Sequence, residues 1–247
     1  MHNIELEQLI NMKLNIDKYQ DYAPNGLQVE GRSEIKKIIT GVTASQGLLD
    51  ASIKLAADAI IVHHGYFWKN EAAVILNMKR NRLRTLLCND TNLYAYHLPL
   101  DAHPVIGNNV QLGNIMEVEI DRYITPLLPI GNFAKPITPD DLISRLNNRL
   151  ARQPLYYGDN GPKKIRSIVW CTGAGQNFIQ QAAEAGVDAF VTGEVSEQTI
   201  HIAREMGIHF YAAGHHATER FGIKALGEWL QKDYGFKVTF VDIPNPV

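Results

Sequence analysis

The alternation of short apolar runs with longer segments of helical period constrains this chain more than any other feature. Helices are predicted near residues 4–14, 45–57, 71–89, 139–151, 176–185, 196–206 and 217–232. Strands are predicted near residues 37–43, 58–63, 92–97, 165–171, 187–192, 208–213 and 236–242. Such alternation favours α/β units over an all-helical or an all-β fold. With 247 residues, the chain can form one large domain or two small ones.

The two halves of the chain resemble each other. Asp58–His64 is similar to Asp188–Glu194, 130 residues further on, and the same spacing aligns Ile39–Ser45 with Val169–Gly175. A strand, a turn of small residues, a helix and a second strand thus recur in order, by duplication or by the chance likeness of two βαβ units. Residues 123–138 are rich in Pro and Gly and indicate a boundary. The predicted domains are residues 1–125 and 126–247, an approximate division that allows elements to be exchanged between them.

Charge and cysteine content exclude several classes of function. Lys and Arg total 24 against 26 Asp and Glu, so the net charge of −2 provides no global positive field for nucleic acid. The basic run Met78–Arg84 is either a solvated helix face or, if it lines a cavity, an attractor of anionic substrates. Two cysteines are too few for a disulfide framework and are typical of a reducing compartment. Because no leader or membrane-spanning stretch is recognised, we expect a soluble, cytoplasmic protein.

Nine histidines stand out in this composition, and four of them form adjacent pairs at 63–64 and 215–216. Several polar side chains fall at predicted strand ends: His63 and His64 end one strand, His97 ends another, and Glu194 ends the counterpart of the first. The carboxyl ends of parallel strands lie along one edge of a sheet, where ligands collect. We therefore expect a binding site built from these side chains.

Three imidazoles and two carboxylates form a candidate metal-ligand set. His63 and His64 project to opposite faces of an extended strand, so two metal ions suit them better than one. Asp101 follows the end of another strand and supplies a hard anionic donor. His215 and Glu219 are four residues apart and share one face of a predicted helix. This mixed nitrogen and oxygen set suits two divalent ions of Zn, Fe, Mn, Co or Ni.

Other interpretations remain open at individual positions. A single histidine at a strand end is commonly a hydrogen-bonded structural residue. His97 is a candidate for catalysis, since it can ligate a metal, orient Asp101 or relay a proton, and Pro99 predicts a non-helical bend after it. Residues 192–197 either form a helix N-terminus with Ser196 as its cap or direct the Glu194 carboxylate toward the metals. Residues 65–68 line a substrate pocket, pack in the core or form a subunit contact. The turn 172–176 is a weak candidate for phosphate binding.

Six motifs together resemble the Nif-three-like family of dinuclear metal-binding proteins, often labelled GTP cyclohydrolase type 2 homologues, and in particular its short bacterial members. The motifs are Asp21–Val29, Thr40–Thr43, Val62–Gly65, His97–Asp101, Thr192–Glu194 and Gly214–Glu219. The resemblance implies two similar, interlinked α/β domains related by internal pseudo-symmetry, a two-metal site in the cleft between them and a homohexameric ring. Carried over by motif position, its ligands fall on His63, His64, Asp101, His215 and Glu219.

The leading hypothesis is a metal-dependent hydrolase acting on a small nucleotide-like or phosphorylated substrate. In it, His63 and Asp101 hold one metal, His64 and His215 hold the other, and Glu219 bridges both. His97 or Glu194 assists proton transfer. The alternative is a non-catalytic metal-binding regulatory or assembly protein, including a hexameric scaffold. No residue pattern in the chain identifies a purine pocket, so the family label does not define the reaction.

Overall fold

The apolar runs form the strands of two separate sheets in the computed structural model, which describes residues 1–247. Each sheet belongs to one of two units. Unit 1 comprises residues 1–106 and 222–243, and unit 2 comprises residues 107–221 and 244–247. The predicted mixed α/β class is therefore confirmed, with two sheets.

Unit 1 contains a five-stranded sheet in the order β1-β4-β3-β2-β11. Strands β2, β3, β4 and β11 are parallel, and β1 is antiparallel at one edge. The elements are α1 (Asn3–Leu14), β1 (Gly26–Val29), β2 (Lys37–Thr43), α2 (Gln46–Lys54), β3 (Ala59–His64), α3 (Asn77–Cys88), β4 (Asn92–Ala95), α4 (Leu98–Ala102) and β11 (Lys237–Phe240).

Unit 2 contains a six-stranded sheet in the order β5-β6-β8-β9-β10-β7. Strands β8, β9 and β10 are parallel, and β7 is antiparallel at one edge. The elements are α5 (Asn108–Met116), β5 (Glu119–Thr125), β6 (Leu128–Ile137), α6 (Pro139–Leu150), β7 (Leu155–Tyr157), β8 (Ile165–Trp170), α7 (Ile179–Glu184), β9 (Ala189–Thr192), α8 (Glu197–Met206) and β10 (His209–Ala212). Helix α9 (His215–Tyr234) supplies its first seven residues to unit 2 and the rest to unit 1.

Each unit has its own apolar core, because its central strands are covered on both faces. In unit 1, Leu6, Ile10 and Leu14 form one stripe of α1 and pack with Ile38 and Ile61. In unit 2, Leu142, Leu146 and Leu150 form the same kind of stripe on α6 and pack with Ile168 and Val191. Spacings of four residues place each stripe on one helix face.

The largest difference from prediction is the antiparallel hairpin β5–β6, which the sequence pattern missed. The segment interpreted as a Pro- and Gly-rich boundary is paired, and the turn between Thr125 and Leu128 contains the predicted division at 125/126. The pairing of β6 with β8 is irregular between Asn132 and Ile137, the stretch that includes Pro136. A proline donates no hydrogen bond to a neighbouring strand, so the irregularity accommodates it.

Helix α3 is shorter than predicted, since it begins at Asn77 rather than near residue 71. Residues 71–76 are exposed and lie outside the helix. Their apolar side chains have no core within the chain to pack against. The short helices α4 and α5 and the edge strands β1 and β7 were also missed, because such short segments carry too little periodicity to be recognised.

Asp58 and Asp188, 130 residues apart, make matching hydrogen bonds, each within its own unit. The Asp58 carboxylate accepts hydrogen bonds from the N–H groups of residues 36 and 37, and the Asp188 carboxylate accepts them from those of residues 166 and 167. Their carbonyl groups accept from the first residues of β4 and β10, respectively. Each aspartate thus joins three neighbouring strands at the amino-terminal edge of its sheet.

None of the helices is both long and apolar enough to cross a lipid bilayer.

Candidate metal centre

Strand register brings three imidazoles together in unit 1. Strands β3 and β4 are parallel with Val62 opposite Ala95, so the residues that follow these positions lie at the same edge of the sheet. The ring of His63 has its centroid 4.5 Å from that of His64 and 5.1 Å from that of His97. One ring nitrogen from each of the three lies within 4.8 Å of the others.

His63 is fully buried, and both of its ring nitrogens have polar neighbours. Nδ1 lies 2.9 Å from the carbonyl oxygen of Tyr96, and Nε2 lies 3.4 Å from Oδ1 of Asp101. A carbonyl oxygen can only accept, so Nδ1 carries the proton, and in the neutral ring Nε2 carries the lone pair. This is the form in which histidine binds a metal.

Asp101 lies on the short helix α4, and the prediction of a non-helical bend at Pro99 was wrong. Pro99 occupies the first turn of this helix, where a missing N–H group costs no hydrogen bond. The helix begins after His97 and brings the buried Asp101 carboxylate back toward His63.

His64 is half-buried at the end of β3, and its Nδ1 lies 3.1 Å from Oγ1 of Thr43 on β2. In a regular strand, the side chains of successive residues point to opposite faces of the sheet. The rings of His63 and His64 are nevertheless neighbours, and the pair lies at the very end of β3.

His97 is held by a loop that the sequence interpretation did not assign to the site. Its Nδ1 lies 2.7 Å from Oδ1 of Asp21, and its backbone N–H donates to Oδ1 of Asn25. Burial by itself would raise the pKa of Asp21, but the hydrogen bond and charge of His97, with further bonds from Asn25 and Leu98, lower it to about 2. The available signal was the motif Asp21–Val29, which lies far from the histidines in sequence.

In unit 2, the four-residue spacing does place His215 and Glu219 together at the start of α9. His215 Nε2 lies 3.1 Å from Oε2 of the buried Glu219, and its Nδ1 lies 2.6 Å from Oε1 of Glu194. Burial by itself would lower the pKa of His215, but the hydrogen bonds and charges of Glu219 and Glu194 raise it to about 9. Glu194 therefore faces His215, and Ser196 is the residue that caps α8.

The loop 172–175 packs against the His215–Glu219 pair, and three of its N–H groups are used by side chains of the chain itself. The N–H groups of Thr172, Gly173 and Gly175 donate to side chains of Asn109, Thr218 and Thr192, respectively. Gly173 has a φ of +66°, and a Cβ atom there would collide with Glu219 and lie 3.2 Å from His215 Nε2. Glycine is required at this position because the Glu219 carboxylate approaches the backbone closely, and phosphate binding is not needed to explain it.

The remaining candidates divide between the core and the surroundings of the site. Tyr66 is buried, and its hydroxyl group donates to the carbonyl group of Ala44. Trp68 is half-buried, with its ring 5.0 Å from that of His97 and 6.0 Å from that of His64. His103 is a structural residue, because its Nδ1 accepts the N–H groups of residues 105 and 106.

The fold and these side chains define a mixed α/β protein with clustered candidate ligands for a transition metal. The chain belongs to the Duf34/NIF3 (NGG1p interacting factor 3) family, whose profile matches residues 1–246.

Relatives match over their whole length. The chain is 63% identical over 246 residues to the "GTP cyclohydrolase 1 type 2 homolog" of Yersinia pestis, with all of both chains covered. It superposes with a TM-score of 0.99 and 61% identity on the solved structure of "protein ybgI, unknown function", again with both chains fully covered. The structure of TTHA1606 from Thermus thermophilus gives a TM-score of 0.92 at 32% identity over 100% of both chains.

Proposed function

We propose that this protein binds two divalent transition-metal ions through His63, His64, Asp101, His215 and Glu219 and is a metal-dependent hydrolase. Its substrate is a small nucleotide-like or phosphorylated molecule. Relatives bear the name "GTP cyclohydrolase 1 type 2 homolog", which is consistent with a nucleotide-like substrate. Opening of a purine ring is not part of the proposal.

Two imidazole–carboxylate pairs carry the metal-binding proposal. The nitrogen-to-oxygen distance is 3.4 Å in the pair His63–Asp101 and 3.1 Å in the pair His215–Glu219. Ligand atoms that each lie about 2.0 to 2.2 Å from one ion are roughly 2.8 to 3.6 Å apart, for ligand–metal–ligand angles between octahedral and tetrahedral. The spacing of each pair falls within this range and is compatible with a single shared ion.

The second ring nitrogen of each histidine supports the same conclusion. His63 donates its Nδ1–H to a carbonyl oxygen, and His215 donates its own to Glu194. Metal-binding histidines are commonly oriented in this way by a carbonyl or carboxylate group, which directs Nε2 toward the ion. At His215, whose raised pKa keeps the ring protonated at neutral pH, the ion would replace the proton on Nε2. The distribution of the five ligands between two ions, with Glu219 as the bridge, stays a prediction.

The chemistry follows from the donor set. Bound divalent ions would polarise a substrate oxygen and lower the pKa of a water molecule beside them. His97 and Glu194 are proposed to assist proton transfer, since each lies next to proposed ligands: the ring of His97 is near that of His63, and Glu194 contacts His215.

The test is metal analysis of protein purified without chelator, combined with hydrolysis of p-nitrophenyl phosphate as a general phosphoester probe. Wild-type protein is expected to carry about two ions per chain. His63→Ala, His64→Ala and His215→Ala are expected to carry fewer and to lose hydrolysis. The matched control is His201→Ala, because His201 is exposed and pairs with the exposed Glu197.

Less than one ion per chain in the wild type, with unchanged hydrolysis in His64→Ala, contradicts the proposal. Full metal content without hydrolysis of the probe or of nucleotides favours the regulatory or assembly alternative. In that case chelation is expected to lower Tm by several degrees, because a structural ion stabilises only the folded state.

We also propose that the chain forms a homo-oligomer. The resemblance to the family implies that this oligomer is a hexameric ring. Val74, Ile75, Leu76 and Met78 are 53 to 63% exposed and nearly consecutive. A contiguous apolar patch of this kind on a protein surface is typical of a contact with another chain.

The two units are further proposed to be an internal repeat. The equivalent hydrogen bonds of Asp58 and Asp188 support it, as does the shared order of three parallel strands with an antiparallel strand at one edge.

A further inference from the structure

Asp21 is a buried carboxylate beside the histidines of unit 1, with several hydrogen-bond donors around it. Its Oδ1 lies 2.7 Å from His97 Nδ1, and its Oδ2 accepts from the N–H group of Leu98 and the side-chain amide of Asn25, each at 2.9 Å. Its side chain is 4% exposed. The backbone N–H of Tyr22 also donates to Oδ1, at 2.6 Å. A carboxylate held by four separate donors is fixed in position and in charge.

His97, the partner of Asp21, is held through its backbone as well as through its ring. Asn25 accepts the backbone N–H of His97 at 2.7 Å, so the same short loop holds both the backbone and the ring of this histidine. An ionised carboxylate only accepts hydrogen bonds, and the proton between the two groups therefore lies on Nδ1. The neutral ring then has its lone pair on Nε2.

The ring of His97 is also close to the proposed ligands. Its centroid lies 5.1 Å from that of His63 and 5.8 Å from that of His64, and the ring of Trp68 lies 5.0 Å away at nearly a right angle. Because Nδ1 is engaged by Asp21, Nε2 is the ring nitrogen that can serve a further partner.

We propose that Asp21 is a positioning residue that holds His97 in the Nδ1–H form and thereby presents Nε2 as a hydrogen-bond acceptor to a water or substrate molecule beside His63 and His64. This inference rests on the proposed function for the identity of that molecule. The orientation and tautomer of His97 can be tested without it.

The experiment measures the tautomer of His97 by long-range ¹H–¹⁵N correlation in protein labelled with ¹⁵N-histidine, in slightly alkaline buffer, before and after Zn²⁺ is added. The signals of His97 are identified by their loss in His97→Gln. Wild-type protein is expected to contain the Nδ1–H form. In Asp21→Asn, whose side-chain amide can donate as well as accept, the Nε2–H form is expected to appear.

Two further variants serve as controls. Glu197→Gln removes a carboxylate from another imidazole, the exposed His201, and should leave His97 unchanged. Asn25→Ala keeps the Asp21 carboxylate and should retain the Nδ1–H form. Metal content of Asp21→Asn and His97→Gln should equal that of the wild type, while kcat for the phosphoester probe falls about 10- to 100-fold in Asp21→Asn.

The outcomes separate this inference from the proposed function. An Nε2–H ring in the wild type overturns it even if Asp21→Asn does not fold, and so does an unchanged tautomer in a folded Asp21→Asn. Loss of metal from His97→Gln would make His97 a ligand and would also overturn it. A wild type without metal or hydrolysis contradicts the proposed function, whereas the tautomer of His97 still decides whether Asp21 positions the ring.

Discussion

A histidine binds a metal ion only through a ring nitrogen that carries a lone pair, so the partner of its other nitrogen decides what the ring can do. In this chain the Nδ1 partners are a carbonyl group for His63, a hydroxyl group for His64, and carboxylates for His97 and His215. Neighbours that are distant in sequence therefore set the orientation of each ring.

Gly173 is the residue at which the smallest change should disturb the site. In Gly173→Ala, the left-handed backbone costs about 1 to 2 kcal/mol of unfolding free energy, and the new methyl group displaces Glu219. We expect reduced metal content and a lower denaturation midpoint in urea.

The matched control for this change is Gly186→Ala. Gly186 has a φ of +72°, and a methyl group added there would meet no atom within 4 Å, so it bears only the backbone cost. Equal metal content in the two variants would show that the loop does not constrain Glu219.

Asp21 should make the stability of the protein depend on pH in acid. The pKa of Asp21 is lowered from 3.8 to about 2 in the folded state, so the folded protein binds this proton less readily than the unfolded chain. The stabilisation is therefore present above pH 3.8 and is lost as the pH falls through about 2. After allowance for solvent screening it amounts to about 1 to 2 kcal/mol.

Urea unfolding of wild-type and Asp21→Asn protein between neutral and acid pH measures this contribution. The difference in unfolding free energy should shrink as the pH is lowered. A difference that is constant with pH would mean that the ionised carboxylate is not responsible.

At the scale of elements, parallel strands determine which residues meet. The carboxyl ends of β3 and β4 gather His63, His64 and His97, and those of β9 and β10 lead directly to Glu194 and His215. The opposite, amino-terminal edge of each sheet is held by an aspartate, Asp58 or Asp188. The amino-terminal ends of the strands thus carry residues that stabilise the sheets, and the carboxyl ends carry residues of the candidate site.

Replacing either aspartate should destabilise its sheet without removing a candidate ligand. Asp58→Ala and Asp188→Ala each leave two backbone N–H groups without their acceptor, at a cost of about 1 to 3 kcal/mol. Thermal unfolding should show a lower Tm for both. The control Asp121→Ala, at an exposed position paired with its neighbour Arg122, should leave Tm nearly unchanged.

At the scale of the whole molecule, the exposed segment Val74–Met78 is the feature that a single chain does not explain. The helix predicted over residues 71–89 begins only at Asn77, and the apolar residues before it remain at the surface. A neighbouring chain would bury them and supply the apolar contact that this unit lacks.

The double substitution Ile75→Asp with Leu76→Asp is therefore expected to lower the molar mass in solution, because buried carboxylates oppose association. Light scattering after size exclusion measures it. Met12→Asp is the control, since Met12 is 70% exposed on α1. A monomeric wild type would contradict the homo-oligomer proposal.

The long elements could be predicted because their signals are local. Helix α6 has a threonine cap followed by apolar residues at intervals of four, and β3 is a continuous apolar run. The hairpin β5–β6 could not be predicted in the same way. Its residues have mixed exposure and its prolines resemble a linker, and the pairing that stabilises it joins separate segments of the chain.

The sequence by itself determined the α/β class, the family and the kinds of donor available, because periodicity, motifs and residue chemistry are all local properties. Tertiary structure alone decided that Asp21 holds His97, that Glu194 holds His215 and that Gly173 lies against Glu219. Asp21 and His97 are 76 residues apart, and no periodicity of the chain connects them. Their contact arises only when the loop after α1 and the end of β4 meet in the folded unit.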